Sequence, residues 1–108
     1  MITIDVARKP VTFMQCDERW EIFAPSWELV SSFKDRWITW KEYVPLYIEE
    51  MRQAYKKNSK PFHDMALRLD NVEFVCWCSR DPKNPWCHRF LLREILMKVR
   101  ECAKDGSF

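Results

Sequence analysis

Val72-Glu73-Phe74-Val75-Cys76-Trp77-Cys78, followed across a proline-broken loop by Cys87-His88-Arg89, decides the reading of this chain. The first run is almost unbroken apolar sequence, with Glu73 its one charge, the pattern of a strand covered on both faces of a parallel sheet. Asp81-Pro82-Lys83-Asn84-Pro85 reads as a loop in which Asn84 caps a helix and Pro85 takes its first position. That helix is expected to run to about Lys104, with Leu91, Leu92, Ile95, Val99 and Cys102 on its inward face. A buried strand handing over to a helix is where open α/β sheets collect anions and substrates.

The residues at this junction point to nucleophilic chemistry first. A thiol in the first turn of a helix sits among unpaired backbone N–H groups and the positive end of the helix dipole, which favours the thiolate. Cys87 is therefore the expected nucleophile, His88 an acid/base group or second donor, and Arg89 an anion clamp, since a planar guanidinium can bind two oxygens at once. Arg80 and Ser79 are expected beside Arg89 at the anion. The ligand would be phosphorylated or nucleotide-like, and no resident cofactor is required.

Metal binding is the rival. Cys76, Cys78, Cys87 and His88 supply the four donors of a structural zinc site, but the usual CxxC knuckle is missing and adjacent residues seldom turn to one ion. A bland reading stands beside both: Cys76 and Cys78 as small buried hydrophobes, His88 bonded to the loop, and Arg89 paired with an acid. A Cys76–Cys78 or Cys78–Cys87 disulfide also fits the spacing, which does not settle pairing.

Upstream, Ile2–Val6 and, more briefly, Val11–Met14 alternate apolar and polar residues as short strands, with Lys9-Pro10 as the turn between them. Residues 16–25 are irregular by pattern. Ser26 is a helix cap for a short helix through Phe33, with Trp27, Val30 and Phe33 inward. Thr39-Trp40-Lys41-Glu42 is a capping box, and Trp40, Tyr43, Val44, Tyr47, Met51, Ala54 and Tyr55 then trace one apolar face. Pro45 should kink that helix early. An aromatic stripe of this kind is ordinarily core. Pro61–Leu69 reads as a shorter helix carrying His63, a structural histidine by its context. The order of elements gives an α/β class: a small Rossmann-like layered fold with a short, partly parallel sheet flanked by helices, in one domain over residues 1–108.

Composition narrows the function. A single glycine, Gly106, leaves nothing to build a GxGxxG or Walker phosphate loop. Eighteen basic against sixteen acidic residues give a net charge of +2, too little to imply nucleic acid by itself. Residues 79–108 carry seven basic against four acidic residues, however. This supports a second reading, a non-enzymatic module that binds nucleic acid or protein through Arg80, Arg89, Arg93 and Arg100. Trp37 and Trp86 could stack on single-stranded bases, though tryptophan is equally ordinary core material. No run approaches the ~18–20 apolar residues of a membrane span, and the start of the chain lacks a signal-peptide pattern. The expectation is an intracellular, cytoplasmic protein (in host cytoplasm if virus-encoded), with cysteines serving as thiols or ligands rather than as a secreted disulfide framework.

At these residues the chain resembles the DUF488 family of small proteins from bacteria, archaea and their viruses. The resemblance rests on Ala24-Pro25-Ser26-Trp27 with Phe33-Lys34, on Ile38-Thr39 with Tyr43 and Tyr47, and above all on Cys76-Trp77-Cys78 followed by Cys87-His88-Arg89. It spans roughly residues 20–100. It implies a compact Rossmann-like fold with Cys87, His88 and Arg89 in the position of the family signature, and it names no reaction.

Overall fold

A computed structural model describes residues 1–77 and 86–105, with side chains as far as residue 101. The candidate residues Cys78, Ser79 and Arg80, the Asn84-Pro85 helix start and the Cys102 side chain lie outside these described residues. The order of elements is β1 (Ile2–Asp5), β2 (Glu18–Arg19), α1 (Trp27–Lys34), α2 (Trp40–Lys57), α3 (Lys60–Leu67), β3 (Val72–Val75) and α4 (His88–Asp105), with short 3-10 turns at Glu21–Phe23 and Leu69–Asn71.

The strands form one small sheet of order β2-β1-β3, and both pairings are parallel. Ile2 to Asp5 lie opposite Val72 to Val75, and Val6 N–H extends the ladder to the Val75 carbonyl at 3.0 Å. Parallel partners need a long crossover. Between β1 and β3 it is built from three helices; between β1 and β2 it is the open chain of residues 6–17. The burial of Val72, Phe74 and Val75 around an exposed Glu73 matches a strand covered on both faces.

Two strand expectations are corrected. Val11–Met14 forms no strand, and the edge strand is Glu18–Arg19 instead, inside the segment that reads as irregular. The cause is tertiary. The Asp17 carboxylate accepts the Thr3 backbone N–H at 2.8 Å and the Asp17 N–H donates to the Thr3 carbonyl at 3.0 Å, which docks residues 17–19 on β1.

The helices follow their caps. The Ser26 hydroxyl accepts the Leu29 N–H, and in the Thr39 box the Glu42 N–H donates to the Thr39 hydroxyl at 3.3 Å while the Glu42 carboxylate accepts the Thr39 N–H at 3.1 Å. Helix α2 runs unbroken from Trp40 to Lys57 with Pro45 inside it. In α1 the buried residue is Leu29, whereas Trp27, expected inward, is 56% exposed. In α4 the buried stripe is His88, Leu92, Leu96 and Val99, and Leu91 and Ile95 are only partly buried. These positions recur at the helical repeat, so the imidazole is the first member of the stripe that packs α4 onto α3 and α2. Helix α4 begins at His88, and Cys87 stands immediately before it rather than in its first turn.

Candidate functional site

Three strand and loop ends converge beyond β1. Asp5, buried at the end of β1, accepts the Ala7 N–H at 2.9 Å and the Val11 N–H at 3.0 Å, and Arg19 lies 3.6 Å from its carboxylate. A short side chain bonding its own backbone two residues on fixes a turn. This turn aims the Val6 carbonyl at α4, where it accepts a hydrogen bond from His88 Nε2 at 2.8 Å. A carbonyl can only accept, so Nε2 carries the proton of that bond. The Tyr47 ring packs against the imidazole, tilted by 59° at a centroid distance of 5.5 Å. Tyr47 donates its hydroxyl to the Phe23 carbonyl at 2.7 Å, and burial holds its phenol well above the ordinary value.

Cys76 directly follows β3 and Cys87 directly precedes α4, and their sulfurs stand 2.8 Å apart. A ring nitrogen of His88 and both sulfurs lie within 4.8 Å of one another. Cys76, Cys87 and His88 are 2%, 1% and 6% exposed, so the cluster is a floor, sealed except on the side where it meets a cleft.

The cleft encloses about 570 Å³. Phe33, Trp40 and Tyr43 make one wall, mutually packed with centroids 4.9–5.7 Å apart. Trp27, Trp77 and Trp86 complete an aromatic lining. Arg8, Lys9 and Lys34 stand at its edge, and no carboxylate lines it among the described residues. Arg8 is held in place: it donates to the Pro25 carbonyl at 2.8 Å and the Ala24 carbonyl at 3.1 Å and pairs with Glu21 at 2.8 Å. The Trp77 indole N–H donates to the Lys9 carbonyl at 2.9 Å, which ties the Lys9 backbone to the other wall.

Of the residues expected at the site, the fold gathers Cys76, Cys87 and His88. Arg89 does not line the cleft; its guanidinium lies over the Phe90 ring, 4.7 Å from the centroid. The basic face of α4 is largely engaged elsewhere. Arg93 donates to the Leu69 and Val72 carbonyls at 3.1 and 2.8 Å, and Arg100 pairs with Asp70 at 3.1 Å. His63 exchanges a 2.9 Å hydrogen bond with Tyr55, as a structural histidine should. Sequence reasoning missed the Val6 carbonyl, which carries no side-chain signal, and Lys9 and Lys34. It also assigned the Trp40–Tyr43 stripe wholly to the core. The usable signal was Trp86, a tryptophan before a helix whose apolar stripe does not include it.

A family model, DUF488-N3a, described as the active DUF488-N3 subclade, matches residues 3–100. No curated protein and no solved structure matches the chain. No described helix is long and apolar enough to cross a membrane.

Proposed function

The chain belongs to the DUF488 family, and from that premise we propose that it carries a thiol-dependent activity in which Cys76 and Cys87 work as one dithiol with His88 as proton carrier. The single observation that supports this reading is the 2.8 Å separation of the two sulfurs on the cleft floor. A second thiol at that distance gives a nucleophilic cysteine a resolving partner.

The chemistry is sulfur exchange. His88 takes the Cys87 proton, and the Cys87 thiolate attacks one sulfur of a disulfide held in the cleft. The substrate S–S bond breaks, and the departing sulfur leaves with the proton from the imidazolium. Cys76 then passes its proton to His88 and attacks Cys87 Sγ, so the mixed disulfide breaks and the second substrate sulfur leaves as a thiol. Two electrons pass from the protein dithiol to the substrate disulfide, and the product is a Cys76–Cys87 disulfide. Helix α4, whose N-terminal end lies at Cys87, favours the anionic sulfur.

A zinc centre on Cys76, Cys87 and His88 is the second reading, favoured by the same clustering. Two thiolates bound to one tetrahedral zinc at ~2.3 Å would stand about 3.8 Å apart, and the 2.8 Å contact between these sulfurs favours the dithiol as the first reading.

The test is a single-turnover assay with hydroxyethyl disulfide, reading released thiol and protein mass. Wild type should release both halves of the substrate. Cys76→Ser should stop with one half bound to Cys87, and Cys87→Ser should release nothing while its circular dichroism is unchanged. Release by Cys87→Ser equal to wild type rejects the reading, and a stoichiometric zinc content in purified protein replaces it with the metal one.

A further inference from the structure

We propose that the cleft above the dithiol selects a planar aromatic group bearing negative charge, the chemistry shared by a mononucleotide and a substituted benzoate. The proposal deepens the thiol reading, because it says what the reacting sulfur is attached to, and it rests on different residues.

The lining argues for the ring. Trp27 and Trp86 are 56% and 54% exposed, and both face the same cavity as Trp40 and Trp77. Four indoles from separate stretches of the chain line one space, and two of them leave large apolar area in water. Such a concentration of exposed aromatic surface marks a binding site. Aromatic π-faces accept a flat ring by stacking and discriminate little among ring types. The volume, about 570 Å³, falls in the range of small-molecule sites, ~300–1,000 Å³.

The rim argues for the charge. All the ionisable groups that line the cleft among the described residues, apart from the thiols and Tyr43, are Arg8, Lys9, Lys34 and His88, with no Asp or Glu. Arg8 is tied to carbonyls and to Glu21, so Lys9 and Lys34, both exposed, are the ammonium groups placed to meet an anion. They come from separate segments, Lys9 from the chain after β1 and Lys34 from the last turn of α1. A ligand with its ring among the tryptophans and its anion at these lysines would share the cleft with the two sulfurs.

Two measurements separate this proposal from the thiol reading. The first uses the Cys76→Ser/Cys87→Ser double variant, which cannot exchange sulfur, titrated with adenosine monophosphate and with nitrobenzoate while intrinsic tryptophan fluorescence is followed. Saturable quenching by both is expected. Trp27→Ala should weaken binding by about tenfold, and Lys9→Ala/Lys34→Ala should weaken it and flatten its salt dependence. Quenching by adenosine monophosphate alone narrows the class to nucleotides, and by nitrobenzoate alone to aromatic carboxylates. The second compares wild-type exchange rates with dithiobis(nitrobenzoate), neutral dithiodipyridine and cationic cystamine, each divided by its rate with a free small thiol. The expected order is anionic aromatic, then neutral aromatic, then aliphatic cation. Equal normalised rates for all three, with no quenching of the double variant, overturn the cleft proposal and leave the dithiol standing. Quenching with no exchange in wild type does the reverse.

Discussion

At the scale of single residues, the site is held by backbone carbonyls that side chains find. The Val6 carbonyl accepts from His88 Nε2 and the Phe23 carbonyl anchors Tyr47 below it. Burial keeps the Tyr47 phenol protonated, so it can only serve as a donor to that carbonyl and an apolar support to the imidazole. Tyr47→Phe keeps the ring and removes the donor. The Phe23 carbonyl is then buried without this partner, and the protein should lose about 1–2 kcal/mol of stability with little change in denaturant slope. Urea melts followed by circular dichroism check this, and an unchanged midpoint would mean the bond carries no net weight. Residue types at this scale were legible. Cys76, Cys87 and His88 stand out in the sequence and do meet in space. Arg89 was equally conspicuous, but its place one residue further round α4 turns it away from the cleft onto Phe90.

At the scale of elements, legibility followed local chemistry. The Thr39–Glu42 capping box, the Ser26 cap and the apolar run of β3 are written in neighbouring residues, and the fold keeps them. Strand β2 is not written locally. Its two residues pair with Ile4 and Asp5, docked by the Asp17–Thr3 bonds, while the alternation at Val11–Met14 that imitates a strand joins no strand of the described sheet. A further long-range contact fastens β2: the Arg68 guanidinium at the end of α3 grips the Glu18 carboxylate, with one bond at 3.0 Å. Hydrogen bonds from Arg68 and then Trp20 hold the Glu18 carboxyl down to about 2, against an ordinary 4.5. A carboxyl depressed on folding adds stability that is complete above pH 4.5 and is lost as the pH falls towards 2. Both side chains are about one-third exposed, so screening keeps the effect below about 1 kcal/mol. Glu18→Gln should therefore be less stable than wild type at pH 6 and converge on it by pH 2. Parallel melting curves in acid would contradict the assignment.

At the scale of the whole molecule, the parallel sheet and the last helix bring residues of three segments to one point. The β1–β3 register sets Cys76 beside the Val6 turn, and the α4 stripe of His88, Leu92, Leu96 and Val99 fixes the rotation that points the imidazole there. The sequence pattern put Leu91, Leu92, Ile95, Val99 and Cys102 inward; Leu92 and Val99 are buried as expected, while His88 and Leu96 complete the stripe and Leu91 and Ile95 lie at its margin. The cleft was not legible at all, since its walls come from α1, α2 and the loops beyond β1 and β3, and only packing joins them. The account stands on the pairing of two thiols in the folded chain. Native protein should therefore be oxidised with limiting diamide, alkylated, digested and mapped by mass spectrometry. Cys76–Cys87 should be the first linked peptide to appear, while Cys16, whose thiol burial and then the nearby Asp5 and Asp17 push above its ordinary value, stays unlinked. A first linkage that leaves out either Cys76 or Cys87 would contradict the account.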